Sequence, residues 1–345
     1  MKKILVIQTA SIGDVILATA VLEKLRHYFP DAGLDFMVKK GMEELFRDHP
    51  FLNHVVVWDK SGKQKEFLKL IKQIRKEHYD LVVDIQRFTR TGLLTVLSRA
   101  KESVGFNKNP LSSFFTKSIP HEIGPDVHET DRNQKLIADI TDEMPEKPRL
   151  YPKEIPDAGY QIPDKIPPKT SSGIRDPASG IYYTISPASL WFTKQFPAEK
   201  WVELISKIPP EATVYLLGSK ADFDLCEKIQ HPESGIRYPA CNIINLAGEI
   251  SLLESAALMK QAKMNFTNDS APMHLASAVN APVTVVYCST TPDFGFGPLS
   301  DDAAVIQVTE TLTCRPCGLH GLQRCPYDHF NCAMQIELSQ LVSRI

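Results

Sequence analysis

Apolar and polar positions change period repeatedly along the chain. Ile4-Leu5-Val6-Ile7 is a short, largely β-branched apolar run, which predicts a strand buried on both faces. Residues 15–29 then recur with helical period, and residues 35–38 return to a strand. Residues 55–58 predict the next strand, Phe67, Leu70, Ile71 and Ile74 share one face of an amphipathic helix, and residues 81–84 predict another buried strand. Short strands alternating with longer helices are the pattern of βαβ units, so the expected fold is α/β, with a parallel sheet covered by helices on both faces.

The alternation stops between Met144 and Gly180, where prolines 145, 148, 152, 156, 163, 167, 168 and 177 fix φ and remove backbone donors. It resumes with strands at 182–185, 214–217, 243–246, 265–267 and 283–287, a helix opening at Pro197 and another over 252–262. A chain of 345 residues exceeds what one core usually holds. The division expected is therefore an N-terminal Rossmann-like domain over 1–150, a proline-rich linker over 151–180, and a C-terminal Rossmann-like domain over 181–345. Two doubly wound domains of this kind direct the carboxyl ends of their strands toward a shared cleft, and that is where ligand chemistry belongs. No fixed-period repeat of solenoid or propeller type is present.

Composition narrows the function classes. Hydrophobic residues make up 43% and charged residues 23%, which excludes a disordered or collagen-like chain. Lys and Arg number 39 against 41 Asp and Glu, so no global basic field exists to bind nucleic acid, and an anionic ligand has to be held locally. Lys2, Lys3 and Ala18-Thr19-Ala20 imitate a secretory leader, but Gln8 and Asp14 interrupt its apolar run. No stretch reaches the roughly 18 apolar residues of a membrane span. The location expected is cytoplasmic.

Candidate chemistry lies just after strands. Thr9-Ala10-Ser11-Ile12-Gly13-Asp14 has one glycine before a helix and matches neither the dinucleotide nor the P-loop spacing. Asp14 there is either a helix N-cap or a general base facing the cleft. Lys194 lies between a strand and the helix opening at Pro197, where it is either a solvated surface lysine or a cation for a diphosphate. Ser219 and Asp222 follow another strand and suit ribose hydroxyls, or equally ordinary capping. Asn268-Asp269-Ser270-Ala271-Pro272-Met273-His274 is a strand running into a helix, whose first N–H groups are suited to phosphate. His274 lies one turn after Ser270, either structural or aimed at the same anion.

These segments together resemble a family. Thr9-Ala10-Ser11-Ile12-Gly13-Asp14, Thr193-Lys194-Gln195-Phe196-Pro197, Asn245-Leu246-Ala247-Gly248-Glu249 and Asn268-Asp269-Ser270-Ala271-Pro272-Met273-His274 are similar, in this order, to the ADP-heptose:lipopolysaccharide heptosyltransferases of glycosyltransferase family 9. Ser289-Thr290-Thr291-Pro292-Asp293-Phe294, Pro298-Leu299-Ser300 and Cys314-Arg315-Pro316-Cys317 resemble the heptosyltransferase II branch. The resemblance implies a GT-B fold of two Rossmann-like doubly wound domains, the first for acceptor and the second for nucleotide-sugar. It also implies an inverting, metal-independent transfer of L-glycero-D-manno-heptose from ADP-heptose to the lipopolysaccharide inner core (lipid A-Kdo-heptose), with no cofactor and with ADP as product. By the same match Asp14 is the base, and Lys194 and the helix opening at Asp269-Ser270-Ala271 stabilise the departing ADP. Ser189 would touch phosphate, Ser219 or Asp222 the ribose, and residues near Ile250 the adenine. The alternatives are transfer of another sugar to another surface glycan, or a non-catalytic nucleotide-sugar-binding protein of the same fold.

Two features stand outside that scheme. Cys314, Cys317, Cys325 and Cys332, with His320 and His329 among them, open with zinc-ligand spacing, so either a structural metal cluster or reduced thiols and labile disulfides are expected. Residues 60–76 hold seven basic residues and one acid, Glu66, either a solvated helix face or a peripheral contact with the inner membrane surface. Arg87, Arg90, Arg99 and Lys101 are candidates for acidic sugars.

Overall fold

A computed structural model describes residues 3–62, 64–124, 127–153, 180–232 and 241–345. Most of the expected linker, residues 154–179, lies outside the described residues. Two compact units result, one of Met1–Tyr151 with Asp293–Phe296, the other of Pro152–Pro292 with Gly297–Ile345. The start of the proline-rich stretch is fixed to the first unit: the buried ammonium of Lys24 donates to the carbonyls of Asp142 at 2.6 Å and Met144 at 2.7 Å, and Arg149 N–H donates to Thr19 Oγ1 at 2.9 Å.

The first unit contains the strands β1 (Lys3–Ile7), β2 (Gly33–Lys39), β3 (Leu52–Trp58), β4 (Leu81–Asp84), β5 (Glu102–Phe106) and β6 (Lys117–Ile119). They form one sheet in the order β3-β2-β1-β4-β5-β6, every pairing parallel. The second contains β7 (Tyr182–Ser186), β8 (Thr213–Leu216), β9 (Asn242–Asn245), β10 (Met264–Asn268), β11 (Val283–Tyr287) and β12 (Ala303–Gln307). Its order is β12-β11-β10-β7-β8-β9, the same topology repeated. In each sheet the direction of winding reverses at the strand that opens the unit, between β1 and β4 and between β7 and β10. Such reversals leave a crevice at the strand carboxyl ends, the place where doubly wound sheets bind ligands.

Burial follows the apolar runs. Every residue of β4, β10 and β11 is buried, as a parallel sheet covered on both faces requires. Leu5, Ile7, Val82 and Leu94 centre the core of the first unit, and Tyr183, Phe266, Trp201 and Val214 that of the second. Each such aliphatic side chain contributes about 1.5–3 kcal/mol by leaving water.

Among the described residues the α-helices are α1 (Ile12–Leu17), α2 (Thr19–Tyr28), α3 (Gln64–Lys76), α4 (Thr89–Leu97), α5 (Glu129–Gln134), α6 (Ala198–Ile205), α7 (Phe223–Gln230), α8 (Leu252–Gln261), α9 (Ala271–Ala278), α10 (Asn331–Met334) and α11 (Leu338–Val342). The single helix expected over 15–29 is two. It is interrupted at Ala18, where Thr19 Oγ1 donates to Ile16 O at 2.6 Å while accepting Arg149 N–H, a local bond that competes with helix propagation. It also starts earlier, because Ser11 rather than Asp14 is the N-cap. Asp14 is the third helical residue of a capping box, closed by Ser11 N–H to Asp14 Oδ2 at 3.1 Å and by Asp14 N–H to Ser11 Oγ at 3.4 Å. Among the described residues no helix is long and apolar enough to cross a membrane.

Candidate active site

In the second unit the loops after β11, β10 and β7 come from adjacent strands and converge. Lys194 lies in a short 3-10 turn, Phe192–Lys194, and its Nζ is 2.7 Å from Asp269 Oδ2. Thr290 Oγ1 donates to the same carboxylate oxygen at 2.6 Å. Asp269 ends the β10 loop immediately before α9, whose N-cap is Ser270 and whose first residue is Ala271, both half-buried. A fixed ammonium therefore stands beside a helix start, an arrangement suited to a diphosphate. Ser270 Oγ makes no capping bond, and its contacts are long, 3.4 Å to Ala188 O and to Asn268 O. His274 is buried one turn along α9. Ser189 is half-buried in the β7 loop, held there by Gln195 Nε2 donating to Ser189 O at 2.7 Å.

Asn268, which sequence reading left without a role, assembles this arrangement. It is fully buried at the end of β10, accepts Phe196 N–H at 2.9 Å and donates to Pro187 O at 2.7 Å, so one side chain binds both ends of the Lys194 loop to the strand carrying Asp269. The legible signal was a polar residue at the end of a run with no water to solvate it.

Farther along the same sheet edge, Ser219 and Asp222 follow β8 and bond each other: Ser219 Oγ and N–H both donate to Asp222 Oδ2, at 2.7 and 2.8 Å. That is the capping alternative, and it leaves both side chains at the surface of the β8 loop. Ile250 follows β9, half-buried in the turn before α8. The β8 and β9 loops close on each other through Gly248, whose N–H donates to Gly218 O at 3.0 Å. Gly248 has φ +79°, and a Cβ there would lie 2.7 Å from the Lys220 Cα. The predicted site residues of this unit thus line one edge in the order Asp269 with Ser270 and Ala271, Lys194 with Ser189, Ser219 with Asp222, and Ile250.

In the first unit Asp14 follows β1, beside the loop after β4. Its capping bonds fall on Oδ2, and among the described residues Oδ1 carries no hydrogen bond. Cations surround this end of the sheet. Lys60, after β3, donates to Thr9 O at 2.6 Å, and burial holds its ammonium below the ordinary value, helped by the charges of Lys39 and Arg90. His121, after β6, is pushed down to about 4 by burial and then by Arg87, Arg132 and Lys108. Glu129 on α5 is buried and its carboxyl is raised by desolvation, against the pull of Arg132, whose Nη2 is 2.7 Å from Glu129 Oε2. Asp14 and Arg87 both act electrostatically on Glu129, which places them in one neighbourhood.

The buried carboxylate of Asp84, at the end of β4, sets the loop carrying Arg87. It accepts Gln86 N–H at 3.0 Å and, at 3.2 Å each, Thr95 Oγ1 and Asn109 Nδ2. Burial drives its pKa from 3.8 up to about 7. Arg99 and Lys101, candidates for acidic sugars together with Arg87 and Arg90, do not lie at this end of the sheet. They precede β5 at the amino end of the sheet, and Lys101 pairs with Asp80 at 2.6 Å.

The four C-terminal cysteines lie in one neighbourhood, since Cys314, Cys317 and Cys325 all act electrostatically on Cys332. All are free thiols, and among the described residues no group of three or more His, Cys, Asp or Glu side chains is arranged to hold a metal ion. Cys332, on α10, packs in the apolar core beside Cys288 and Ile306, within the electrostatic reach of Cys314, Cys317 and Cys325, and Cys317 Sγ turns to the Cys314 carbonyl at 3.4 Å. Burial pushes the Cys332 thiol up to about 12.

Residues 67–320 match the family described as glycosyltransferase family 9 (heptosyltransferase), a span that includes Lys194 and Asp269 but not Asp14. Lipopolysaccharide heptosyltransferase 3 of Escherichia coli is 25% identical over 292 residues, 81% of this chain and 81% of that protein. Lipopolysaccharide heptosyltransferase 2 of Escherichia coli (strain K12) is 24% identical over 316 residues, 89% of this chain and 88% of that protein. The structure of E. coli ADP-heptose LPS heptosyltransferase II aligns with a TM-score of 0.78 at 21% identity, covering 100% of this chain and 97% of that one, so the two share the GT-B fold. With its matched span and its twice-wound topology, the chain belongs to glycosyltransferase family 9 (heptosyltransferase) and is a glycosyltransferase.

Proposed function

We propose that this enzyme is an inverting transferase that moves L-glycero-D-manno-heptose from ADP-heptose to the inner core of lipopolysaccharide, as a member of the heptosyltransferase II branch. The observation that carries the reading is the Lys194–Asp269 pair at the winding reversal of the second sheet, beside the start of α9. From there the loops of β7, β8 and β9 continue along one edge, with steps of about 4.8 Å between strands, a length suited to an extended diphosphate, ribose and adenine. Ser189, Ser219 or Asp222, and Ile250 would meet those parts in turn. The names of the relatives support heptose and lipopolysaccharide as the groups transferred and modified.

In the transfer, Asp14 Oδ1 takes the proton of an acceptor hydroxyl as that oxygen attacks the anomeric carbon opposite the diphosphate. The bond from that carbon to the β-phosphate oxygen breaks, its electron pair leaves with ADP, and configuration inverts. The Lys194 ammonium and the first N–H groups of α9 offset the charge that develops on ADP, so the reaction asks for no metal or other cofactor. The cations around Asp14, Lys60, Arg87 and Arg90 among them, suit an acceptor carrying phosphates and acidic sugars.

The same acceptor would bring the enzyme to the cytoplasmic face of the inner membrane. Support for that contact lies on α3, where Lys65, Lys69, Lys72 and Lys76 are exposed around Leu68, itself 57% exposed, a face suited to anionic lipid.

The test is ADP release from ADP-heptose by wild type and by Asp14→Asn, with and without lipopolysaccharide truncated to its inner core. The expected result is acceptor-dependent release that the variant loses while it still binds ADP. Release by wild type that no heptose-deficient core stimulates would move another sugar, or a non-catalytic binding protein, ahead.

A further inference from the structure

The cysteine-bearing loop is packed around the residue next to Lys194. Thr193 is 1% exposed. Its N–H donates to Leu322 O at 3.0 Å, its Oγ1 accepts Leu322 N–H at 2.7 Å and the Ser289 hydroxyl at 2.9 Å, and it can donate in turn to Leu322 O at 3.2 Å. Cys317 N–H donates to Ser289 O at 2.8 Å. Arg315 fastens the other end, Nε to Cys288 O at 2.8 Å and Nη2 at 2.7 Å to the carbonyl of Thr290, the residue whose hydroxyl holds Asp269. Gly321 completes the contact. It has φ +77°, and a Cβ there would lie 3.0 Å from Lys194 Cγ, 3.0 Å from Thr193 Oγ1 and 3.3 Å from Ser289 Oγ. Every one of these bonds ends on the Lys194 turn or on the β11 loop that supplies Thr290.

We propose that residues 314–325 form a brace that holds the Lys194 ammonium where the departing diphosphate needs it, with Thr193 and Gly321 as the positioning residues through which the brace acts. Lys194 is a long, flexible side chain with four rotatable bonds, and Asp269 fixes only its tip. Gly321 confines its stem, and the Thr193 hydroxyl ties the backbone of the turn to the brace. The inference rests on the nucleotide-binding reading above.

The test is ADP affinity by calorimetry together with kcat and both KM values. Thr193→Val keeps the shape and removes the hydroxyl, leaving Leu322 N–H and the Ser289 hydroxyl without their acceptor, and is expected to weaken ADP binding by about tenfold and lower kcat, with Thr193→Ser restoring both to within about twofold. The acceptor KM should not move. Gly321→Ala and Gly318→Ala give a second comparison that survives if Thr193→Val misfolds. Both glycines have positive φ, +77° and +74°, but a Cβ on Gly318 meets nothing within 4 Å. Gly321→Ala should weaken ADP binding several-fold more than Gly318→Ala. Equal affinities across Thr193→Val, Gly321→Ala and wild type, where Lys194→Ala still loses ADP, would overturn the brace alone. If Lys194→Ala binds ADP as wild type does, the nucleotide reading itself fails.

Discussion

Asp84→Asn isolates the energetic cost of a carboxyl that organises the Arg87 loop. Asp84 is completely buried, and desolvation raises its pKa from 3.8 to about 7, in spite of the donors from Gln86, Thr91 and Thr95. Between those values the folded protein binds a proton that the unfolded chain has released, so stability falls as pH rises through the window. The contribution is fully present below about pH 3.8 and is lost by about pH 7; at about 1.4 kcal/mol per unit the whole span is worth about 4 kcal/mol. The amide has no charge to bury. Any offset from its NH2 group meeting Thr95 or Asn109 is the same at every pH, so the slope alone carries the information. Urea unfolding of both proteins, followed by hydrogen exchange of peptides spanning β4 so that only the first unit is reported, should show wild type losing about 2–3 kcal/mol relative to the variant from about pH 5 to about pH 7. Above about pH 8 the difference should level off. A wild-type minus variant difference that stays flat over this range, or that grows in favour of wild type as pH rises, would refute the argument.

Two further outcomes follow from burial. Glu129→Gln and Arg132→Met each leave a buried charge without its partner and should each destabilise the first unit by about 3–5 kcal/mol, whereas the double variant should cost clearly less than the two together; strict additivity in that cycle would mean the pair at 2.7 Å is not coupled. Burial pushes the thiols of Cys226 and Cys332 up to about 12, so iodoacetamide at about pH 8 should leave both unmodified in the native protein and alkylate them once it is denatured, as mass spectrometry of the labelled peptides would show. Native-state labelling of Cys332 at the rate of a free thiol would contradict its place in the core.

The sequence specifies structure where the information is local and does not where it is not. The strand at 81–84 agrees residue for residue with β4, because an apolar run bounded by polar residues has one economical burial in a parallel sheet. Helix ends were less legible. Asp14 looks like an N-cap, yet Ser11 starts the helix, and the break at Ala18 depends on Arg149, more than a hundred residues away. Arg87, Arg90, Arg99 and Lys101 look equivalent in sequence, but a strand's two ends lie on opposite edges of a sheet, and only the first two share the edge of Asp14. Cys314 and Cys317 have the spacing of metal ligands, but only the fold shows that Cys325 and Cys332, from farther along the chain, come into their neighbourhood.

What the amino-acid sequence determined by itself is the alternation of strands and helices, the α/β class, and the motifs that align with one family, since periodicity and short motifs are properties of neighbouring residues. Tertiary structure alone decided which loops became neighbours. The order β11-β10-β7-β8-β9 places Thr290, Asp269, Lys194, Ser219 and Ile250 along one edge, although they are scattered through the chain. It also decided that Asn268 and Thr193, unremarked as a strand residue and a turn residue, would hold the Lys194 loop in place. Those roles rest on buried hydrogen bonds between distant segments, and a bond of that kind leaves no periodic trace in the chain that makes it.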